Sequence, residues 1–193
     1  MTDPLRTFVL AMTTWLDRAG VPYMLAGSFA STLHGRPRST QDVDIVIDPT
    51  ESTLQAFLHE LPADRAYVDR RTALRALASR DMFNVIDLET GWKADLIIRK
   101  ARSFSVREFE RRRAEEWSGL SITVVTPEDT VLSKLEWCRL SGGSERQLAD
   151  VAGVVVSSGA ALDRPYIEQW LDELRVRAEW SRVLEMTGLG AVG

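Results

Sequence analysis

A chain of 193 residues, of which 45% are hydrophobic and 27% charged, can bury a core; this excludes disordered and fibrous proteins and suits one domain or one plus a small appendage. Its net charge of −4 argues against a protein whose whole surface is basic enough to bind nucleic acid. Its single cysteine, Cys138, excludes an internal disulfide. No stretch resembles a signal peptide or approaches the length of a membrane span, so we expect a cytoplasmic protein without a membrane partner.

The first sixty residues alternate between helix and strand signals. Asp3 and Pro4 are typical of a helix start, and Gly20 ends the apolar period that follows them. Asp42 to Asp48 alternates acidic and β-branched residues before Pro49, which is typical of a strand. The predicted elements are a helix from Pro4 to Gly20, a strand over 23–26, a short helix over 29–33 that ends at Gly35, a strand over 42–48 and a helix over 51–61.

The remainder predicts strands up to residue 125 and only helices beyond it. Thr126 and Pro127 indicate the start of the first of these helices. The segment 104–117 is strongly charged, with Phe104, Val106 and Phe109 as apolar anchors, and its basic part is open between a solvated helix and a binding surface. The predicted elements are a helix over 70–80, strands over 82–88 and 92–98 joined by Glu89-Thr90-Gly91, a strand over 120–125, and helices over 127–140, 144–157, 165–177 and 179–186.

This order predicts an α/β fold, a small mixed sheet flanked by helices, with an appended C-terminal helical bundle. We expect an α/β domain over 1–125 and a helical subdomain over 126–193.

Asp42 and Asp44 are the first candidate site residues. Side chains at i and i+2 of a strand leave the same face, so the two carboxylates point together while Val43 and Ile45 point to the other face. Paired carboxylates repel each other unless a proton or a cation intervenes, and oxygen ligands of this kind suit Mg²⁺. The sequence therefore predicts a metal site on this strand, although Asp-x-Asp alone is also common on exposed strand faces.

Gly27 and Ser28 are the second candidate. A Gly-Ser turn at a helix start can offer backbone N–H groups and a hydroxyl to a phosphate, so a triphosphate would contact both this turn and the metal. The alternative is that the turn only caps the helix.

Gly27-Ser28, thirteen residues and then Asp42-Val43-Asp44 together resemble the signature of the polymerase-beta-like nucleotidyltransferase superfamily. The stretch LHGRPRSTQDVDI is most similar to its abortive-infection, AbiEii-like toxin branch. The resemblance implies the nucleotidyltransferase fold and a third metal-binding acid on a later strand, for which Asp95 has the matching context.

The helical part carries its own resemblance to that branch, in Thr126-Pro127-Glu128-Asp129 with Lys134-Leu135, and in Arg146 with Asp150-Val151. It implies that Lys134 and Asp150 contact the nucleotide, with a surface lysine as the alternative for Lys134. Gln147 departs from the pattern, because the branch often has an acid there.

The implied activity is transfer of a nucleoside monophosphate from an NTP, with ATP among the candidates, to a hydroxyl acceptor with release of pyrophosphate. Asp42, Asp44 and Asp95 would be the catalytic, metal-binding residues, with Mg²⁺ or Mn²⁺ as the metal. The acceptor is open between RNA, such as transfer RNA, a protein and a small molecule. The alternative is a catalytically silent protein of this fold that works with a protein partner such as a cognate antitoxin.

Other features point to weaker candidates. The segment Arg99–Arg113 carries seven basic residues against two acids and could bind RNA, but only Phe104 and Phe109 are there to stack on bases. His34 and His59 lack neighbours at zinc-ligand spacing, so zinc is not expected. Cys138 is expected to be a buried thiol rather than a nucleophile.

Overall fold

The computed structural model describes residues 3–35 and 42–189, so part of the stretch LHGRPRSTQDVDI, residues 36–41, lies outside the described residues. In chain order the helices and strands of the first half are α1 Pro4–Arg18, β1 Tyr23–Leu25, α2 Gly27–His34, β2 Asp42–Ile47, α3 Glu51–Glu60, β3 Ala66–Val68, α4 Arg70–Ser79, β4 Met82–Asp87 and β5 Lys93–Ile98. Those of the second half are α5 Ser103–Glu110, β6 Arg113–Trp117, β7 Leu120–Val124, α6 Pro127–Leu140, α7 Glu145–Ser158, α8 Arg164–Leu174 and α9 Arg177–Met186.

The chain divides into two compact units. The first comprises Met1–Ala26 and Thr40–Val124, and the second comprises Gly27–Ser39 and Val125–Gly193. All seven strands found in the described residues belong to the first unit, whereas α2 belongs with α6 to α9 in the second. The helical unit thus includes a short helix from early in the chain, in addition to the C-terminal segment.

The first unit is built on one mixed sheet with the strand order β3-β4-β5-β2-β1-β7-β6. β2 pairs in parallel with β5, and β1 pairs in parallel with β7. The remaining neighbours, including β1 with β2 and β4 with β5, are antiparallel. The predicted small mixed sheet flanked by helices, with a helical C-terminal part, is confirmed.

Alternation along the central strands separates a buried face of the sheet from a polar one. Val43, Ile45 and Ile47 of β2 are fully buried, and every second residue of β5 is buried in the same way. The residues between them, which include the acids, lie on the opposite face and are partly exposed. Burial of the apolar face therefore sets the direction in which the acids point.

Local capping explains where the helices begin. The Asp3 side chain accepts a hydrogen bond from the Leu5 N–H, with Pro4 in the first turn, which confirms the predicted start of α1. Thr126 accepts from the Asp129 N–H at 3.2 Å and caps α6. Each cap satisfies one of the N–H groups that a helix start leaves without an intrahelical partner.

In the second unit, a buried network anchors the start of α6. The Asp129 carboxylate is fully buried and accepts hydrogen bonds from the Thr126 hydroxyl at 2.6 Å and from the Tyr166 hydroxyl of α8 at 2.7 Å. At the end of α2, a Cβ on Gly35 would lie 2.7 Å from the Ser31 carbonyl oxygen and 3.0 Å from the backbone nitrogen of Val154 in α7. Glycine at this position thus permits close packing of α2 on α7.

Sequence patterns missed two strands and shifted several boundaries. The charged segment 104–117 contains α5 and β6, and β3 lies where no strand was predicted. α8 ends at Leu174 and α9 begins at Arg177, earlier than predicted. None of the helices in the described part of the chain combines the length and the hydrophobicity that a membrane crossing requires.

Candidate functional site

Three acids lie together on the polar face of the first unit's sheet. In the parallel pair of β2 and β5, Asp44 is directly opposite Asp95, and Asp42 is opposite Lys93. Neighbouring strands are roughly 4.8 Å apart, and Asp42 and Asp44 share a face because they are two residues apart. The register therefore brings Asp42, Asp44 and Asp95 into one cluster, which we call the acid face.

The carboxylates of the acid face differ in their access to solvent. The Asp42 side chain is 49% exposed and that of Asp95 is 15% exposed. Asp44 lies two residues after Asp42 on β2 and opposite Asp95, and it is partly buried. Partly exposed carboxylates keep some of their hydration and can exchange it for another cation or a substrate.

Lys93 supplies a positive charge within the acid face. Its ammonium lies 3.1 Å from Asp95 Oδ1 and 3.5 Å from Asp42 Oδ1. Partial desolvation works to lower the pKa of Lys93, but the hydrogen bond and the charge of Asp95, together with Asp42, outweigh it, so the pKa is raised above 10.5. The side chain is therefore a cation at neutral pH, bound between two of the three acids.

The neighbouring strand β4 contacts the acid face from the other side of β5. Asn84 is opposite Asp95, and its side-chain amide donates a hydrogen bond to Asp95 Oδ1. Asp95 therefore has two partners within the first unit, one neutral and one charged, and its carboxylate orientation is set by both.

A fourth acid, Asp87, holds the β4–β5 turn that leads to Asp95. Its buried carboxylate accepts hydrogen bonds from the N–H groups of Glu89 and Thr90 at 3.0 and 2.9 Å, and from Arg65 at 3.3 Å. Burial raises the pKa of Asp87, but these hydrogen bonds outweigh burial and lower the pKa below 3.8. Asp87 is thus a structural carboxylate rather than part of the acid face.

The donor chemistry of the acid face fits a hard divalent cation. Three carboxylates on adjacent strands offer the oxygen ligands that Mg²⁺ and Mn²⁺ prefer. Among residues 3–35 and 42–189, however, no group of three or more His, Cys, Asp or Glu side chains is arranged as a ready-made metal site. Within the acid face, the Lys93 ammonium already contacts one oxygen of Asp42 and one of Asp95.

Gly27 and Ser28 form the first residues of α2, in the second unit. Gly27 has φ +56°, a left-handed conformation that a residue with a Cβ adopts only at a cost. Both residues are partly buried, and the Ser28 carbonyl accepts a hydrogen bond from the Ser31 hydroxyl at 3.0 Å. The turn therefore requires glycine for its backbone, which by itself does not assign it a ligand.

Lys134 and Asp150 meet inside the second unit. The Lys134 ammonium lies 2.8 Å from Asp150 Oδ2 and donates to Gln147 Oε1 at 3.0 Å, with the two charged side chains only 8% and 11% exposed. Gln147, the residue that departs from the branch's pattern, thus binds Lys134 as a neutral acceptor. The lysine is not a surface residue, because α6 and α7 enclose it.

The remaining predicted residues are engaged in structural contacts. The His34 ring lies 2.8 Å from the Val125 carbonyl oxygen through Nε2, and Cys138 is fully buried with its pKa raised by desolvation. In the basic segment, Arg99 pairs with Asp48 at 2.9 Å and Arg113 with Glu115 at 2.6 Å. The predicted buried thiol is confirmed, while binding of RNA by the basic segment stays a prediction.

Sequence reasoning missed Lys93, Asn84 and the contact of Gln147. Lys93 could have been found, because it precedes Asp95 by two residues and so shares its strand face. Asn84 needs the register of the β4–β5 hairpin, and the partner of Gln147 needs the packing of two helices. Only the first of these signals is present in the local sequence.

Neither a family model nor a curated protein sequence matches this chain. Solved structures do match it in fold. ANT(2")-Ia in complex with adenylyl-2"-tobramycin aligns with a TM-score of 0.57 at 12% identity, over 89% of this chain and 97% of that one. Lincomycin-bound LnuA, a lincosamide antibiotic adenylyltransferase, aligns with a TM-score of 0.54 at 13% identity, over 80% of this chain and 96% of that one.

An antigenic nucleotidyltransferase-like protein from Paracoccidioides brasiliensis aligns with a TM-score of 0.54 at 18% identity, over 92% of this chain and 89% of that one. At these identities the likeness establishes the fold. The chain therefore has the nucleotidyltransferase fold, with a mixed sheet and a helical C-terminal part.

Proposed function

We propose that this chain is a metal-dependent nucleotidyltransferase that moves a nucleoside monophosphate from an NTP to a hydroxyl acceptor and releases pyrophosphate. The observation that carries the proposal is the register of β2 and β5, which sets Asp44 opposite Asp95 with Asp42 on the same face. The fold supports it, since it is shared by the lincosamide antibiotic adenylyltransferase LnuA and by ANT(2")-Ia, whose structure contains adenylyl-2"-tobramycin.

Asp42, Asp44 and Asp95 are the residues we assign to the metal. A bound Mg²⁺ or Mn²⁺ would neutralise charge on the phosphates and on the attacking oxygen during an in-line displacement. We also assign to Asp95 the removal of the proton from the acceptor hydroxyl, since an ionised carboxylate within hydrogen-bond reach can act as a general base.

Four further residues are assigned to the nucleotide. Gly27 and Ser28 would offer a backbone N–H and a hydroxyl to a phosphate, in keeping with their place at the start of a helix. Lys134 and Asp150 are assigned by the resemblance to the AbiEii-like branch. The resemblance to that branch also leads us to propose a cognate antitoxin as a partner, and transfer RNA as the first acceptor to examine.

The experiment is incubation of the purified chain with each labelled NTP, Mg²⁺ or Mn²⁺, and separate fractions of total RNA, protein and small hydroxylated molecules. We expect label from one NTP to appear in one fraction, with pyrophosphate released in equal amount. Antibiotics with free hydroxyls belong in the third fraction, because the neighbouring structures contain lincomycin and adenylylated tobramycin.

Asp44→Asn is the control, since it removes one proposed metal ligand and nearly keeps the side-chain volume. Label transfer by this variant at the wild-type rate would contradict the assignment. Absence of transfer with every NTP and acceptor, together with stable binding of a partner protein, would favour the catalytically silent alternative.

A further inference from the structure

Lys93 lies where a cation would be expected if the three acids acted on a metal. It precedes Asp95 on β5 and faces Asp42 across the parallel strand pair, so strand geometry, rather than a flexible loop, places it there. Its ammonium contacts Asp95 at 3.1 Å and Asp42 at 3.5 Å, while its side chain is 33% exposed. A single side chain thus contacts two of the acids assigned to the metal.

Carboxylates held close together repel one another, and a neighbouring cation offsets that repulsion. In the acid face, the Lys93 ammonium offsets it for Asp42 and Asp95. A divalent cation that binds the same oxygen atoms must displace the ammonium, because two cations repel each other at such distances. Partial exposure of Lys93 gives its flexible stem room to move into solvent.

We propose that Lys93 is a built-in competitor of the divalent metal, which stabilises the acid face when no metal is bound and is displaced when a metal binds. The inference rests on the proposed function, because it takes Asp42, Asp44 and Asp95 as the metal ligands. It assigns Lys93 a positioning role, since the residue acts through the acids and no contact with substrate is invoked.

The test measures metal affinity and unfolding in wild type and in Lys93→Met, a substitution that keeps the length of the side chain and removes its charge. Titration calorimetry with MgCl₂ or MnCl₂ alone, without nucleotide, should show affinity increased by about three- to tenfold, the range expected when a partly exposed lysine no longer competes for two carboxylates. Lys93→Gln is the second variant, because it retains a hydrogen-bond donor without the charge. Both should bind metal more tightly if the charge is what competes.

The matched control is Lys100→Met, which removes the charge of an exposed lysine just beyond β5. We expect its metal affinity to equal that of wild type. An equal gain in Lys100→Met would overturn the proposal, because it would show an effect of net charge rather than of position.

Thermal unfolding separates this role from a merely structural one. In EDTA, Lys93→Met should unfold at a lower temperature than wild type, because its acids repel each other without the ammonium. In saturating Mg²⁺ the difference should vanish, since the metal then neutralises the acids in both proteins. A difference that is equal in EDTA and in Mg²⁺ would overturn the proposal.

The two failures can be told apart. Wild type that binds Mg²⁺ or Mn²⁺ with Lys93→Met no tighter would overturn the role of Lys93 and leave the proposed function intact. If neither wild type nor Lys93→Met binds Mg²⁺ or Mn²⁺, the metal dependence of the proposed function is overturned, and so is the proposed competition.

Discussion

The charged clusters of the two units differ in how far they are exposed to solvent. In the first unit, one lysine is shared by a group of carboxylates that remain partly open to solvent. In the second unit, Lys134 is enclosed with Asp150 as a charged partner and Gln147 as a neutral one, and both charged side chains are nearly buried. The first arrangement keeps its carboxylates partly exposed, whereas the second holds its ion pair almost entirely out of solvent.

This difference predicts which substitutions will change activity and which will change the stability of the fold. A buried pair costs stability when one member is removed, because the remaining charge stays out of water without a partner. Partly exposed acids repel one another, so the removal of one carboxylate costs little stability. We therefore expect substitutions in the acid face to affect chemistry and substitutions of Lys134 to affect folding.

The largest expected effect is on activity. Asp44→Asn should reduce transfer by at least about 1,000-fold, since an amide cannot balance a divalent cation that stabilises charge in the transition state. Its free energy of unfolding in EDTA should stay within about 1 kcal/mol of wild type. Rate measurements alongside urea denaturation check both; a large decrease in stability would contradict the contrast between the units.

Lys134→Met should have the largest effect on stability. Removal of the ammonium breaks the 2.8 Å ion pair with the nearly buried Asp150 carboxylate, for which we expect about 3 kcal/mol of destabilisation by urea unfolding. Combining it with Asp150→Asn should restore part of that stability, because the buried negative charge that Lys134 had balanced is then removed as well. If Lys134→Met unfolds like wild type, the pair is not structural and only its nucleotide role remains.

Within the first unit, Asp87 contrasts with the acid face because it is a buried carboxylate that accepts hydrogen bonds from Glu89, Thr90 and Arg65. Asp87→Asn should cost about 1–2 kcal/mol at neutral pH, because its charge-assisted hydrogen bonds are weakened. The pKa of Asp87 is lowered in the folded state, so its contribution is present above its unfolded value near 3.8 and is lost as pH falls through the folded value.

Thermal unfolding of wild type and Asp87→Asn should therefore differ most above the unfolded-state pKa near 3.8 and converge as the pH falls through the lower pKa of the folded state. A difference that stays constant over this range would assign the destabilisation to packing rather than to the carboxylate charge.

For the Gly-Ser turn, Gly27→Val should weaken NTP binding more than Ser28→Ala. A branched side chain blocks approach to the backbone, whereas the serine hydroxyl contributes one hydrogen bond of about 1 kcal/mol, or roughly fivefold in affinity. Gly20→Val is the matched control for strain, because Gly20 also has a positive φ, +65°, and nothing lies within 4 Å of its Cβ position. Affinities in the reverse order would indicate that the turn is only a helix cap.

The smallest effect concerns the basic segment. Arg112 lies over the Phe109 ring at 4.1 Å and Arg113 pairs with Glu115, so these cations already have partners within the protein. If transfer RNA is the acceptor, changing Arg111, Arg112 and Arg113 to Glu should reduce the salt dependence of binding by about one unit of slope for each phosphate that the segment no longer binds.

The control for the basic segment is the same change at Arg70, Arg71 and Arg75, three exposed arginines of α4. Identical slopes for wild type and the 111–113 variant would remove the segment from the acceptor site and favour a protein or small-molecule acceptor.

Local sequence patterns predicted the secondary structure correctly where one face of an element is buried. The alternation of Asp42 to Ile47 and the caps at Asp3 and Thr126 predicted the strand and the helix starts that the structure has. The two missed strands, β3 and β6, are the edges of the sheet. Edge strands carry exposed and charged residues, so the sequence RAEEW of β6 lacks the apolar period that marks a strand.

The sequence by itself determined that Asp42 and Asp44 leave one face of a strand, because the side-chain period of a strand is two residues and the apolar face has to be buried. By the same period it determined that Lys93 shares the strand face of Asp95. Only the tertiary structure decided that β2 lies beside β5 with Asp44 opposite Asp95, that Lys93 bridges Asp42 and Asp95, and that Gln147 joins Lys134. These contacts join residues far apart in sequence, so they depend on strand order and helix packing, which the whole core selects and no local window contains.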